Sequence, residues 1–398
     1  TFLMNESIHD ILSACSEEQI FAILDYFRRP FRHGARKSTL VKRLADYLCG
    51  APRDWLSRLL EPDLRLLERL CEAGADCFVQ LPRPDYPSVL EVLSFIEAGQ
   101  VADGQIELRV PAGFHALVHP HVSEVVAEKE ADGSFRLERL ILGLLNIYGV
   151  VPLRTFIDQL FKALKDEADV RTLGDRISAC PLLHLYQETY RGEYYICSPF
   201  VDNFQEILQM RRITFKHIRK YAKVLEADAT ACGSHAPFCA YGLYTEEGQA
   251  LTDMLKGIGY AGDELRKALH TIWMSAQYAL DEDATEILFS PVTSRQDEIP
   301  GFPLFRDCIA AIVDYANIVP KWLLKGNNSL EADEMKLSVR VESLREEYGA
   351  SPRGNDGNDP LEPFYRYGII LRPAAPDAPC PCGSGISFRH CHGKKKFA

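Results

Sequence analysis

The sequence predicts a mainly α-helical, multidomain protein that ends in a small knob held by a metal. Three observations carry that prediction. Apolar residues recur at helical spacing through most of the chain between residues 17 and 348. Stretches rich in β-formers are few and short, enough for ribbons and too little for a large sheet. Three cysteines and two histidines crowd into the thirteen residues from Cys380 to His392, a density that thiolates and imidazoles reach at metal sites.

A chain of 398 residues, 46% of them hydrophobic, has material for several domains with real cores. No apolar run approaches the roughly 18 residues of a membrane span. No charged, apolar and small-residue leader opens the sequence either, so a cytoplasmic protein is expected. Nine of the twelve cysteines lie scattered in apolar contexts, which suits reduced core residues better than a disulfide framework. The net charge of −11 disfavours indiscriminate binding to nucleic acid, because a polyanion attracts partners that neutralise many phosphates. The basic residues are unevenly spread, however, and local anion binding stays open.

Residues 1–60 read as a helical domain. In EEQIFAILDYFRR the residues Ile20, Ile23, Leu24 and Phe27 share a face, and in RKSTLVKRLADYL so do Leu40, Leu44, Tyr47 and Leu48, with Ser38 as N-cap. Arg28, Arg29, Arg32, Arg36, Lys37, Lys42 and Arg43 collect between and along these helices. Two short helices joined by a basic turn resemble the SAP-type helix-extended-helix module, over about thirty residues. That resemblance implies contact of the seven cations with nucleic acid or a partner, although RPFRH replaces the usual glycine-bearing connector. A hairpin with a merely solvated cationic face has the same pattern.

From residue 61 to 130 a second unit is expected: DLRLLERLCEAG and YPSVLEVLSFIEAG as helices, then QIELRVPAGFHALV as a strand. Residues 131–210 repeat its opening with LERLILGLLNIYG, where Leu137, Leu140, Ile141, Leu144, Leu145 and Tyr148 lie on one face. VPLRTFIDQLFKAL follows, with Pro152 at a helix start, then the shorter RTLGDRISAC. LLHLYQETYRGEYYICS closes the region as a hairpin turning at Arg191-Gly192. Three helices and a ribbon resemble a winged helix in order, so one or two winged-helix-like units are expected. The exposed candidates on the third helix, Arg171, Thr172, Asp175, Arg176 and Ser178, are mixed in charge. A DNA reader brings more phosphate contacts, so a docking role fits better.

Residues 211–350 read as a further helical domain. RRITFKHIRKYAKVL is expected to form a basic helix, with Ile213, His217, Tyr221 and Val224 on one side and Lys216, Arg219, Lys220 and Lys223 elsewhere, suited to RNA or an acidic protein surface. From Gly242 to Tyr348 helices continue, broken by the loop FSPVTSRQDEIPGFP. Residues 351–378, carrying SPRGNDGNDP and RPAAPDAP, read as a semi-extended linker.

Residues 379–398 form the knob. Cys380-x-Cys382 grips from one tight turn, which Gly383-Ser384-Gly385 supplies, and Cys391-His392 complete four ligands after eight residues. Three sulfurs and one nitrogen suit one tetrahedral zinc ion (Zn2+), and four protein ligands leave no place for a catalytic water. The stretch resembles the SEC-C motif, the zinc module at the tail of the bacterial preprotein translocase ATPase. Pro381, Gly383, Ser384, Gly385, Phe388 and Gly393 also fall where that family places them, whereas ISF stands where lysines are common. In the translocase this knob contacts a chaperone and the ribosome. The resemblance therefore implies a bacterial adaptor surface.

Asn317, Pro320, Trp322, Gly326 and Glu331 are similar to an asparagine-proline-tryptophan-glycine signature upstream of the zinc module in several SEC-C proteins; core packing is the plain reading of the tryptophan. Cys232, His235 and Cys239 offer three ligands for a second metal without a fourth nearby, and His119-Pro-His121 is a weaker pair. No phosphate loop, dinucleotide fingerprint, His-Glu-x-x-His or Gly-x-Ser-x-Gly occurs. The expected function is a non-enzymatic zinc-binding adaptor contacting RNA, the ribosome or an acidic protein. A DNA-binding regulator and an enzyme without a recognisable motif are the alternatives.

Overall fold

A computed structural model describes residues 7–32, 34–82, 88–102, 105–164, 170–233, 240–277, 282–333, 335, 377–379 and 385–390. The described chain is mainly helical, and no described helix is long and apolar enough to cross a membrane. It divides into two units, Thr1–Asp202 with Val224–Tyr241, and Asn203–Lys223 with Gly242–Ala398.

The first unit opens with α1 (Ile8–Ala14), α2 (Glu17–Tyr26), α3 (Lys37–Gly50) and α4 (Pro52–Ser57). Ser7 and Ser16 start the first two helices with reciprocal capping boxes. At α3 the N-cap is Arg36, two residues before the expected Ser38. Then come α5 (Glu61–Ala73), β1 (Val79–Pro82), α6 (Val89–Val92), β2 (Glu97–Ala102), β3 (Gln105–Arg109), α7 (Ala112–Val118) and α8 (Val122–Ala131). One hydrophobic cluster runs from Ile8 to Phe135. At its centre Phe95 meets Trp55 at 5.3 Å and Phe114 at 4.6 Å between ring centroids.

Two expectations fail here. YPSVLEVLSFIEAG is not one helix: the Ser88 capping box starts α6, Ser94 at φ 59° breaks it, and β2 begins at Glu97. QIELRVPAGFHALV is a strand only to Arg109, because Pro111 lacks a ladder donor and sits as the N-cap of α7.

The chain continues through α9 (Ser134–Tyr148), β4 (Val150–Pro152), α10 (Leu153–Ala163), α11 (Val170–Ala179), α12 (Leu182–Leu185), β5 (Gln187–Tyr190) and β6 (Glu193–Cys197). The β5–β6 hairpin turns at Arg191 (φ 53°) and Gly192 (φ 82°), with Tyr190 opposite Glu193; positive φ at both positions is the type I′ signature. Strand order is β1-β3-β2 in one sheet and β4-β6-β5 in the other, all antiparallel. A leading helix, a strand, helical material and a closing hairpin whose last strand lies in the middle thus occur twice.

Two devices set the interior of this unit. Lys129 and Glu138 form a buried ion pair at 2.7 Å. The ammonium also donates to the carbonyls of Ser57 and Leu59, and Glu138 accepts the Glu61 amide at the start of α5. Burial still pushes the Glu138 carboxyl above its usual range, against the pull of Lys129. The second device is a close helix crossing. After α13 (Phe204–Ile213), which belongs to the second unit, α14 (Glu226–Cys232) lies across α9. A Cβ at Gly143 would sit 1.6 Å from the Ala229 carbonyl oxygen, so only glycine permits the contact. Asn146 secures it, donating to the Cys232 carbonyl and accepting from Ser198 Oγ.

The second unit comprises α13, α15 (Glu246–Gly257), α16 (Gly262–Ala276), α17 (Glu282–Thr293) and α18 (Phe302–Ile318). Pro291 lies inside α17, so the expected loop starts only after Thr293. Trp273, Tyr315 and Trp322 are fully buried. A tight turn after α18 carries Trp322, with Lys325 at φ 56° and Gly326 at φ 79°, and Asn328 and Glu331 cap each other's amides beyond it. This turn contains Pro320, Trp322 and Gly326 of the upstream signature, Glu331 lies just beyond it, and Asn317 is exposed on α18.

Candidate functional site

The proposed zinc ligands Cys380, Cys382, Cys391 and His392 lie outside the described residues, as do His235 and Cys239. What is described beside the four is a compact turn. An antiparallel bridge joins Pro379 to Ser387, Gly385 takes φ 71°, and a 3-10 turn spans Phe388–His390. His390 is exposed and its Nδ1 lies 2.8 Å from Ser387 Oγ, while Arg389 pairs with Asp377 at 3.3 Å. Cys232 is buried in α14 against α9. Among the described residues no group of three or more His, Cys, Asp or Glu is arranged to hold a metal.

In the N-terminal hairpin the seven basic residues divide by use. Lys37 Nζ donates to the Ser13 carbonyl at 2.8 Å and Arg43 Nη2 to that of Pro30 at 3.3 Å. Arg29 lies 4.2 Å from the centroid of the Tyr47 ring. Burial and Asp54 push the Tyr47 hydroxyl up to about 12. A small open cleft forms here between buried Leu24 and Leu40, with Phe31 beside them. Arg28, Arg32, Arg36 and Lys42 are exposed and make no ion pair with a described residue.

The basic segment after Met210 departs from expectation. Helix α13 ends at Ile213, and residues 214–225 are irregular. The helical spacing of Ile213, His217, Tyr221 and Val224 is overruled by hydrogen bonds to the turn after α18. The Ala222 amide donates to the Lys325 carbonyl at 3.0 Å, Asn327 Nδ2 donates to the Lys220 carbonyl at 3.1 Å, and Lys325 Nζ reaches the Arg219 carbonyl at 3.5 Å. Arg211 is buried and donates from Nε to the Trp322 carbonyl at 2.9 Å and from Nη1 to the Tyr221 hydroxyl at 3.2 Å. With its main chain so held, the segment leaves the side chains of Lys216, Arg219, Lys220 and Lys223 all exposed.

The turn itself adds cations that sequence reasoning missed. Lys321 Nζ donates to the carbonyls of Ala276 and Ala316 at the ends of α16 and α18, and burial pulls its amine down to about 8. Lys325 is lowered by burial and then by the nearby Arg211. One signal was available: no Asp or Glu occurs from Ile207 to Leu225 or from Tyr315 to Leu330. In a chain with a net charge of −11, two such stretches bonded to each other make a local cationic surface.

Residues 378–394 match the SEC-C motif, so the chain carries that motif at its C-terminal end. No solved structure matches the chain.

Proposed function

We propose that the protein is a zinc-stabilised adaptor that contacts the ribosome or its RNA through the cationic strip Lys216–Lys223. The observation that carries this reading is the strip itself: four exposed cations on a main chain pinned to the turn after α18, with no acidic residue on either stretch. A main chain already held loses little freedom on binding, and clustered cations attract a polyanion from a distance.

Cys380, Cys382, Cys391 and His392 would hold the zinc ion. When bound, zinc supplies a cross-link that replaces the hydrophobic core a segment of this size lacks, and it supplies no reaction. SEC-C motifs are generally zinc-binding modules, and the donor set fits a closed structural site.

The order α9-β4-α10-α11-α12-β5-β6, with β6 between β4 and β5, supports a winged-helix-like unit. Its hairpin exposes Glu188, Arg191, Glu193 and Tyr194, two carboxylates to one cation. Carboxylates at the place where a DNA reader meets phosphates oppose the regulator alternative and favour a scaffold that docks protein.

Co-sedimentation with purified bacterial ribosomes tests the reading. The wild-type chain should pellet with ribosomes and carry one zinc per chain; Lys216→Gln/Arg219→Gln/Lys220→Gln/Lys223→Gln should stay in the supernatant with its zinc intact. Equal pelleting of the two proteins would remove the strip from the function.

A further inference from the structure

We infer that the strip binds the sugar-phosphate backbone of single-stranded RNA, in preference to any duplex. This rests on the strip being the contact surface of the adaptor and names what it contacts.

Charge comes first. Arg212, Lys216, Arg219, Lys220 and Lys223 are exposed on one short segment, and Lys325 adjoins them through the Arg219 carbonyl. Lys325 and Arg211 are close enough that repulsion contributes to the lowering of the lysine. Holding like charges together costs folding stability, and a polyanion lying along them removes that repulsion.

Shape decides which polyanion. Duplex DNA is read by an element that enters the major groove, a helix or a two-stranded ribbon. Residues 214–225 form neither. The deep, narrow major groove of double-stranded RNA admits no side chains, and its recognition spans successive minor grooves. A single irregular segment has no such span. A single strand, in contrast, adapts its backbone to a track of fixed cations.

Aromatic rings interleave with the cations. Phe215 and His217 flank Lys216 with ring centroids 6.2 Å apart, and Tyr221 lies between Lys220 and Lys223 with Lys325 Nζ 5.6 Å from its ring. Phe215 packs on the buried cluster of Ile218, Leu324 and Ala332, and Tyr221 carries the Arg211 guanidinium 5.5 Å from its ring, so each of the three offers part of a face. Bases of a bound strand stack on aromatic faces without regard to sequence. The expected binding is therefore sequence-tolerant and strongly salt-dependent.

The test is fluorescence anisotropy on the full zinc-loaded chain. The probes are a labelled oligouridine of roughly 12 nucleotides, within the span of one single-strand module, and RNA and DNA duplexes of the same length. The single strand should bind more tightly than either duplex. Its log affinity should fall with log salt at a slope of about −3, the value for four phosphates on a single strand. The quadruple glutamine variant should lose at least about tenfold in affinity and flatten that slope. Lys216→Arg/Lys220→Arg/Lys223→Arg should retain both, which separates charge from any change of fold. Unchanged oligouridine binding in the glutamine variant, or tighter binding of a duplex, overturns the inference. The two readings fail separately. If the glutamine variant leaves the ribosome but the wild-type chain ignores oligouridine, the adaptor stands with a protein contact and this inference falls. If oligouridine binds through the strip but ribosomes do not pellet the chain, the inference stands and the ribosomal reading falls.

Discussion

The two units bury charge in opposite ways. In the first, Lys129 is matched by Glu138 at 2.7 Å, and Glu61 by Arg139 at 2.5 Å and Arg65 at 3.1 Å. In the second, Lys321 reaches two carbonyl oxygens and no carboxylate among the described residues. A matched pair holds elements in register and presents nothing to the outside. A cation supported by carbonyl dipoles keeps its net positive charge. The difference separates a polar interior that cancels its charge from one that keeps it.

The largest test breaks a pair. Glu138→Gln leaves the Lys129 ammonium buried without a counter-charge, facing only neutral oxygens, and such uncompensated charges cost about 3–5 kcal/mol. Chemical denaturation of the full chain should show a loss of that size. Lys129→Met/Glu138→Leu should recover part of it, since the two apolar side chains carry no charge to compensate, while the Glu61 amide and the Ser57 and Leu59 carbonyls lose their partners. If the single variant lost under about 1 kcal/mol, the pair would be wetter than its burial implies.

Lys321 tests the opposite arrangement by pH. Its amine titrates at about 8 in the folded chain against an ordinary value of 10.5. Between those values only the unfolded chain carries the proton, so stability rises with pH from 8 to 10.5 and is lost again as pH falls through 8. At roughly 1.4 kcal/mol per unit the span is about 3 kcal/mol. Lys321→Met removes the titrating group, so the wild-type chain should gain on the variant between pH 7 and pH 10. Parallel stability curves would mean that the ammonium is well solvated.

A third effect is steric. Gly143→Ala places a methyl group where Ala229 already has its carbonyl oxygen, 1.6 Å from the new Cβ. The crossing of α14 over α9 must then open, at a cost of about 1–3 kcal/mol. Amide exchange should rise in residues 226–233 first. Protection unchanged in that stretch would show the crossing to be looser than drawn.

What the sequence made legible follows from the range of the interactions. The hairpin of α2 and α3 was visible because Ile20, Ile23, Leu24 and Leu40, Leu44, Leu48 repeat at helical spacing within one segment. The β5–β6 ribbon was visible in the β-formers around Arg191-Gly192. Cys380, Cys382, Cys391 and His392 were legible as a local pattern, and the SEC-C match covers their positions. Strand β4 was not, since three residues carry no periodicity. The segment 214–225 misled because its spacing is helical while its hydrogen bonds lead to a turn 107 residues away, as between Lys220 and Asn327. Lys325 joined the site by that same long-range pairing.

The smallest effect concerns the strip's own stability. Lys216, Arg219, Lys220 and Lys223 are exposed and lack ion pairs among the described residues, so replacing all four with glutamine removes repulsion and no attraction. Stability should hold within about 0.5 kcal/mol, as for other surface substitutions away from special features. Any change should be a gain at low salt, where repulsion reaches furthest, and it should fade at high salt as screening shortens its range. A loss above about 1 kcal/mol would show these side chains to be part of the fold. The contrast between the units would then fail where it matters for function, because residues that hold a structure together are poorly placed to give themselves to a partner.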